Sequence, residues 1–131
     1  MSGREEIDEA ALGRLIPAFY ARVREDAALG PVFDDAVDDW PEHLERLVAF
    51  WSSVMLASGR YKGNPVAVHA QHRTRITPDL FARWLAIWDD VTAEMMAPEA
   101  AAALQDKARR IAESLQLALF FTLDPARAIA R

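Results

Sequence analysis

Residues 12–23 read LGRLIPAFYARV, and their apolar side chains recur every three or four positions. Such a repeat follows the 3.6-residue turn of an α-helix and places the apolar side chains on one face. The stretch therefore predicts an amphipathic helix over about Ile7 to Asp26, with a kink at Pro17. The predicted buried face consists of Leu12, Leu15, Ile16, Phe19, Tyr20 and Val23.

Proline residues mark the starts of the other predicted helices, because the first turn of a helix does not use the N–H that proline lacks. Asp39 and Thr77 lie just upstream of two of these prolines, and both side chains can cap a helix. The pattern predicts a helix over about Trp40–Ala57, a short helix from Pro65 to about His69 or Ala70, and long helices from Pro78 and from near Pro98.

The predicted connections between these helices are short. The sequence Leu29-Gly30-Pro31 is expected to end the first helix and to lead into a loop or turn, with Phe33 as its one large apolar side chain. Residues 71–76 are polar and basic and are expected to form another loop. The tail from Asp124 to Arg131 is expected to fray.

The composition predicts an all-α chain. It has 131 residues, 52% hydrophobic and 27% charged, which predicts one folded domain over residues 1–131 with a core from about 7 to 121. All five glycines lie at or before Gly63, and β-branched residues are sparse after it. There are no cysteines, so disulfides, thiolate metal sites and cysteine nucleophiles are excluded.

The charge of the chain is acidic, with a formal net value of −5. Between Glu25 and Glu45 there are eight Asp or Glu residues and no Lys or Arg, a run that would repel phosphates. No apolar run approaches the roughly 18 residues that span a bilayer, and the polar N-terminus shows no signal-peptide pattern. We therefore expect a cytoplasmic protein that binds neither nucleic acid nor membrane.

Three histidines, at positions 43, 69 and 72, are the strongest candidates for chemistry. His43 is followed at i+4 and i+8 by Leu47 and Trp51, so these three side chains share one face of a helix. His69 ends the predicted short helix, and His72 lies in the basic loop. Taken one at a time, such histidines are more often core, rim or surface residues than ligands.

Together with the aromatic residues, the histidines suit a flat, apolar, iron-bearing ligand. Neutral imidazole is a good iron ligand, and a single histidine holds the haem iron of globins. Tyr20 and Trp84 carry O–H and N–H donors that could reach a small ligand on the iron. The alternative is a non-haem helical interaction domain, in which the aromatic side chains at helical spacing only fill the core.

At these residues the chain resembles the group III truncated haemoglobins, over roughly Leu12 to Phe121. Each matching stretch is short, but their order and spacing together are specific. The stretches are Phe19-Tyr20 with Val23-Arg24, Leu29-Gly30-Pro31-Val32-Phe33, Trp40-Pro41-Glu42-His43, Phe50-Trp51, Tyr61-Lys62-Gly63-Asn64-Pro65 before His69, and Phe81-Ala82-Arg83-Trp84-Leu85.

The resemblance implies a truncated 2-on-2 globin-like helical sandwich that holds haem b. His69 is implied to be the proximal iron ligand, and its Nδ1–H is expected to donate to a nearby backbone carbonyl such as that of Pro65. His43 is implied to be the distal histidine and is a candidate second iron ligand. The cofactor-binding residues implied by the resemblance are Tyr20, Phe33, His43, Leu47, Trp51, His69 and Trp84.

The loop after His69 departs from the family pattern. The family often has a Leu-Pro-rich loop there, whereas residues 70–75 of this chain are polar and one residue longer. The departure leaves His72 as a rival iron ligand, although the position of Asn64-Pro65 favours His69. Candidate partners for the haem propionates, or else ordinary surface charges, are Arg60, Lys62, Arg73 and Arg75.

The expected function is the binding of O₂, NO or another diatomic ligand. Release should be slow, because Tyr20 and Trp84 would each hold the ligand by a hydrogen bond. The alternative is a haem-dependent NO dioxygenase or peroxidase-type enzyme that uses the same residues. Turnover would then require an electron donor, expected to be a separate reductase, because the sequence shows no flavin- or NAD-binding domain. The sequence leaves open whether the protein is an enzyme.

Overall fold

The structure is a computed structural model that describes residues 4–65, 69 and 76–121, and these residues form five α-helices. Pro65 and His69 are also helical. Across the described ranges there is no β-strand, only one isolated bridge between Glu5 and Met96. The all-α prediction is therefore confirmed. The helices are α1 (Glu9–Glu25), α2 (Leu29–Ala36), α3 (Trp40–Leu56), α4 (Pro78–Met95) and α5 (Pro98–Gln116), and α5 continues into a π-helical turn, Leu117–Phe121.

Side chains cap α3 and α4 where the sequence predicted caps. The carboxylate of Asp39 accepts the N–H of Glu42 at 3.1 Å, and the hydroxyl of Thr77 accepts the N–H of Leu80 at 3.3 Å. Each bond satisfies a donor that has no partner within the helix. At the other end of α3, Ala57 adopts the left-handed conformation with φ of 55° and ends the helix.

The connection after α1 differs from the prediction. The sequence predicts that Leu29-Gly30-Pro31 ends the first helix and leads into a loop, but these residues form the first turn of α2. The first helix already ends at Glu25, and it runs through Pro17 as a continuous helix. Phe33 therefore lies on a helix, and the loop prediction for it is wrong.

The carboxylate of Asp26 explains why α2 can begin so soon after α1. Its Oδ2 atom accepts the N–H of Ala28 at 3.0 Å and the N–H of Leu29 at 2.9 Å. These are the donors at the start of α2 that lack helical partners. Pro31 fits in the same turn because no N–H is needed there.

The core forms around α1, which packs against α2, α3 and α4, while α4 also packs against α5. All six residues of the apolar face predicted for α1 are buried. Their burial confirms the face that the 3.6-residue repeat predicted. The largest side chains that are fully buried are Trp51, Trp88, Phe19, Leu12, Leu15 and Ile16.

Trp88 links three helices at the centre of this core. Its ring stacks on that of Trp51 from α3, with the ring centres 4.5 Å apart and the planes 19° from parallel. Its indole N–H donates to the carbonyl oxygen of Leu104 in α5 at 3.0 Å. A buried indole N–H without such an acceptor would be costly, so this bond helps to fix α5 against α4.

Two sequence predictions lie outside the described residues: most of the loop over residues 71–76, and the tail from Asp124 to Arg131. Among the helices that are described, none has both the length and the apolar character needed to cross a membrane.

Candidate functional site

A cavity of about 350 Å³ lies between the helices and is lined mainly by apolar side chains. This volume falls within the range of roughly 300–1,000 Å³ that is usual for small-molecule and cofactor sites. The structure brings all of the predicted site residues together in its wall: Tyr20, Phe33, His43, Leu47, Trp51, His69 and Trp84. Their roles remain predictions, because a position in the wall does not by itself assign a role.

His69 is held in one orientation by the backbone before it. Its Nδ1 atom lies 2.6 Å from the carbonyl oxygen of Pro65, as the sequence predicted. A carbonyl oxygen only accepts, so Nδ1 carries the proton and donates it. In the neutral imidazole, the Nε2 atom then carries the lone pair that can bind a metal.

Tyr20 and Trp84 meet in the cavity wall from α1 and α4. The indole N–H of Trp84 points at the hydroxyl oxygen of Tyr20 over 3.4 Å. Because the tyrosine oxygen is the acceptor in this pair, its own O–H remains able to donate. Burial raises the pKa of Tyr20 to about 12, and the N–H of Trp84 offsets this only in part. Tyr20 therefore stays a neutral phenol near neutral pH.

Phe19 packs against both residues of this pair. Its ring makes edge-to-face contacts with Tyr20 at 4.7 Å and with Trp84 at 5.6 Å between ring centres. Phe19 is fully buried, so it forms a fixed base for both groups. Edge-to-face packing of this kind adds about 0.5–1.5 kcal/mol beyond the burial of area.

His43 reaches the cavity from the first turns of α3. Its ring is 6.3 Å from that of Tyr20 and 5.5 Å from that of Trp40. Burial lowers the pKa of His43, and the nearby charge of Arg46 lowers it further. Its Nε2 atom is buried and has no hydrogen-bond partner among the described residues. A buried polar atom in this state is costly and is typical of a site that a ligand completes.

Trp51, Leu47 and Phe33 supply apolar parts of the wall. Trp51 is fully buried and Leu47 is half-buried, both on the same face of α3 as His43. Phe33 is half-buried on α2, where its ring lies 5.6 Å from that of Tyr20. The cavity therefore joins a few polar groups to an apolar surround, the usual composition of a cofactor site.

Arg46 and Tyr61 also line the cavity, and sequence reasoning missed both. Arg46 lies one turn after His43 on α3 and pairs with Glu42, and its side chain is 66% exposed. Tyr61 is half-buried, with its N–H bonded to the hydroxyl of Ser53 at 2.8 Å. The spacing of three residues from His43 could have indicated Arg46, since such residues are neighbours on a helix.

Of the four basic residues suggested as propionate partners, Arg60 and Lys62 do not line the cavity. Arg60 instead forms an ion pair with Glu9 at the start of α1. The carboxylate of Glu9 also accepts from the buried hydroxyl of Ser52. Arg73 and Arg75, and the rival ligand His72, lie outside the described residues.

Comparison with known proteins agrees with this fold. No protein-family model matches the chain. A curated protein named "Group 3 truncated hemoglobin ctb", from Campylobacter jejuni, is 28% identical over 120 residues, which cover 88% of this chain and 94% of that protein. A crystal structure of group III truncated hemoglobin from Campylobacter jejuni superposes with a TM-score of 0.79 and 27% identity, covering 92% of this chain and 98% of the other.

The fold and cavity thus define a globin of the shortened type, in which two helices pack over two others. The matches in sequence and in structure confirm the resemblance drawn from the residues. In sequence and in fold, the chain is similar to the group III truncated haemoglobins.

Proposed function

We propose that the chain binds haem b in the cavity, with His69 as the proximal iron ligand, and holds O₂ or another diatomic ligand beneath Tyr20 and Trp84. The observation that carries this proposal is the hydrogen bond that selects the tautomer of His69. Its Nδ1–H is bound to the carbonyl of Pro65, so its lone pair at Nε2 belongs to a half-buried imidazole in the cavity wall. This is the tautomer that iron requires.

The remaining residues fit a porphyrin in the same space. The wall is largely apolar, as the faces of the macrocycle require, and the buried Nε2 atom of His43 lacks a partner within the described structure. Haem, when bound, supplies an iron that takes up a diatomic gas. His43 would then lie beside the ligand or bind the iron itself when no ligand is present.

Tyr20 is the main donor in this proposal. Its phenol keeps its proton, since burial raises its pKa to about 12, and its oxygen is oriented by the N–H of Trp84. A hydrogen bond to a partner that carries charge contributes about 1.5–3 kcal/mol. Each 1.4 kcal/mol slows release about tenfold, so one such bond is enough to favour retention over rapid exchange.

Arg46 is the best-placed described cation for a propionate of haem. Its guanidinium group is mostly exposed while the residue still lines the cavity, so the charge can lie at the cavity mouth. Arginine pairs with carboxylates through two parallel hydrogen bonds. Tyr61 lies close enough for the charge of Arg46 to affect the pKa of its phenol, and its hydroxyl could share the same carboxylate.

A redox reaction with a separate reductase is the second candidate function. Tyr20, Trp84 and His43 give the cavity three groups able to hydrogen-bond, and such an arrangement favours a retained ligand over a freely exchanged one. Retention favours chemistry on O₂, NO or peroxide. The proposal is tested by following NO or peroxide consumption with and without an added flavin reductase; a rate that the reductase does not change would contradict it.

The experiment that tests haem binding is reconstitution of the purified protein with hemin. The wild-type chain should develop a Soret band of stoichiometric intensity. His69→Gly should lose the spectrum of a histidine-ligated iron, and added imidazole should restore it by filling the vacated position. His72→Gly is the matched control and should behave as wild type. A wild-type chain without a Soret band, or a His69→Gly spectrum identical to wild type, would refute the assignment.

A further inference from the structure

We propose that Asp26 and Arg83 are positioning residues for the cavity. Their ion pair, here called the Asp26–Arg83 clasp, holds the α1–α2 corner against α4 and thereby sets the contact between Tyr20 and Trp84. The inference rests on the proposed function, because it concerns how firmly the cavity would hold a ligand.

The clasp is a two-point contact. The guanidinium Nε of Arg83 donates to Oδ2 of Asp26 at 3.0 Å, and a second guanidinium nitrogen donates to Oδ1. The side chain of Asp26 is only 9% exposed, whereas that of Arg83 is 52% exposed. Pairing of both carboxylate oxygens with one planar guanidinium fixes direction as well as distance.

The same carboxylate joins three helices. Asp26 follows the last residue of α1, and its Oδ2 atom accepts from the N–H groups of Ala28 and Leu29 at the start of α2. Arg83 adds the connection to α4. One side chain therefore relates the helices that carry Tyr20, Phe33 and Trp84, all of which line the cavity.

The contact that the clasp would control is a long one. The distance from Trp84 Nε1 to the Tyr20 oxygen is 3.4 Å, beyond the usual range of about 2.7–3.2 Å for such bonds. A small shift of α4 against α1 would therefore either break this contact or shorten it. Arg83 is the residue immediately before Trp84, so a force on its side chain acts on the same turn of α4.

A second ion pair, which joins α1 itself to α4, provides an internal comparison. Arg22 of α1 donates twice to Glu94 of α4, at 2.6 and 2.5 Å. Both side chains are about half-exposed, and neither residue lines the cavity. The Arg22–Glu94 pair has the two-point geometry of the clasp, but it lies eleven residues from Arg83 along α4 and so away from Trp84.

The test replaces arginine by methionine at each position. Arg83→Met removes the clasp but leaves the caps that Asp26 provides, and Arg22→Met is the matched control. In the CO complex of the reconstituted protein, Arg83→Met should shift the C–O stretching frequency, which reports hydrogen bonding to the ligand. It should also raise the O₂ dissociation rate about threefold or more. Arg22→Met should change neither, and Arg83→Lys, which keeps the charge without the fork, should be intermediate.

A second readout needs no haem. The indole N–H resonance of Trp84 in the haem-free protein should move in Arg83→Met and stay in place in Arg22→Met. In a Tyr20→Phe background, Arg83→Met should add little to O₂ release, because the clasp would act through the tyrosine. The inference would be overturned if Arg83→Met and Arg22→Met had equal effects. It would also be overturned if Arg83→Met changed neither the C–O stretching frequency nor the Trp84 resonance.

The two proposals fail in different ways. If the wild-type chain takes up haem and Tyr20→Phe speeds release, while Arg83→Met behaves as wild type, only the clasp is refuted. If the wild-type chain takes up no haem, the proposed function fails, and the Trp84 resonance still decides whether the clasp positions α4.

Discussion

Tyr20 shows how burial and one neighbour decide what a hydroxyl group can do. Only 4% of the residue is exposed, and burial raises its pKa to about 12. Trp84 occupies an acceptor position of the oxygen, which leaves the proton as the group that a ligand can use. The sequence shows that a tyrosine and a tryptophan are present. The direction of the hydrogen bond between them depends on the packing of α1 against α4, because the two residues lie 64 positions apart.

The chain contains a matched control for Tyr20, because its other tyrosine, Tyr61, also lines the cavity. Tyr20→Phe should speed O₂ dissociation from the reconstituted protein about tenfold or more, through loss of a hydrogen bond of about 1.5–3 kcal/mol. Tyr61→Phe should change the rate by less than about threefold. Stopped-flow displacement of O₂ by CO measures both rates, and equal effects would remove Tyr20 from its proposed role.

At the residue scale, the sequence predicted the contacts of neutral and apolar side chains better than the contacts of charged ones. The bond from His69 to the carbonyl of Pro65 is local, four residues apart, so it could be predicted from helical geometry. The partner of Arg60 is Glu9, 51 positions away, and no local pattern identifies it. Arg46 was missed for a different reason: its position three residues after His43 is a local signal, but an exposed arginine does not by its residue type show that it lines a cavity.

At the scale of single helices, the starts of α3 and α4 were predictable and the start of α2 was not. Asp39 and Thr77 stand directly before proline-led helices, which is a local signal. The cap of α2 comes instead from Asp26, two residues before Ala28, which supplies no side-chain cap of its own. Gly30 and Pro31 in the first turn of α2 are residue types common in loops, so the sequence predicted a loop where the structure has a helix.

The cap of α3 should contribute measurably to stability. Asp39→Ala removes the acceptor for the N–H of Glu42 and should lower the free energy of unfolding by about 1 kcal/mol. Because α3 carries His43 and Trp51, the same variant should also weaken haem retention. Urea unfolding followed by circular dichroism measures the first effect, and Asp38→Ala is the control. A midpoint shared by both variants would contradict the prediction.

At the scale of the whole molecule, the apolar repeats and the composition together predicted the all-α architecture. The buried faces of the helices follow from local spacing, and α1 was predicted with all six of its core residues. The ion pair Arg22–Glu94 joins α1 to α4, and Asp26–Arg83 joins the residue after α1 to α4. Both pairs connect positions at least 57 apart, so sequence spacing could not reveal them. That the chain forms a single domain stays a prediction.

The Asp26–Arg83 pair should make the stability of the whole molecule depend on acid pH. The guanidinium of Arg83, together with the N–H of Leu29, lowers the pKa of Asp26 from 3.8 to about 2. A carboxyl group whose pKa is lower in the folded chain than in the unfolded chain stabilises the folded state. This contribution is complete when the pH lies above the pKa of the unfolded chain, and it is lost as the pH falls through the pKa of the folded chain.

The difference in unfolding free energy between wild type and Asp26→Asn should therefore be constant above about pH 5 and narrow between about pH 4 and pH 2. Urea titrations at fixed pH values measure it. A difference that stays unchanged down to pH 2 would contradict this assignment of the pKa.

The stacked tryptophans have an optical consequence. The chain holds four of them; Trp51 and Trp84 face the cavity, and Trp88 stacks on both, with ring centres 4.5 and 6.0 Å away. Excitation energy absorbed by any of these three indoles has a porphyrin in the cavity as a nearby acceptor. The intrinsic tryptophan fluorescence should therefore fall in proportion to haem uptake. Its intensity would then measure the fraction of protein that carries haem, without an added dye.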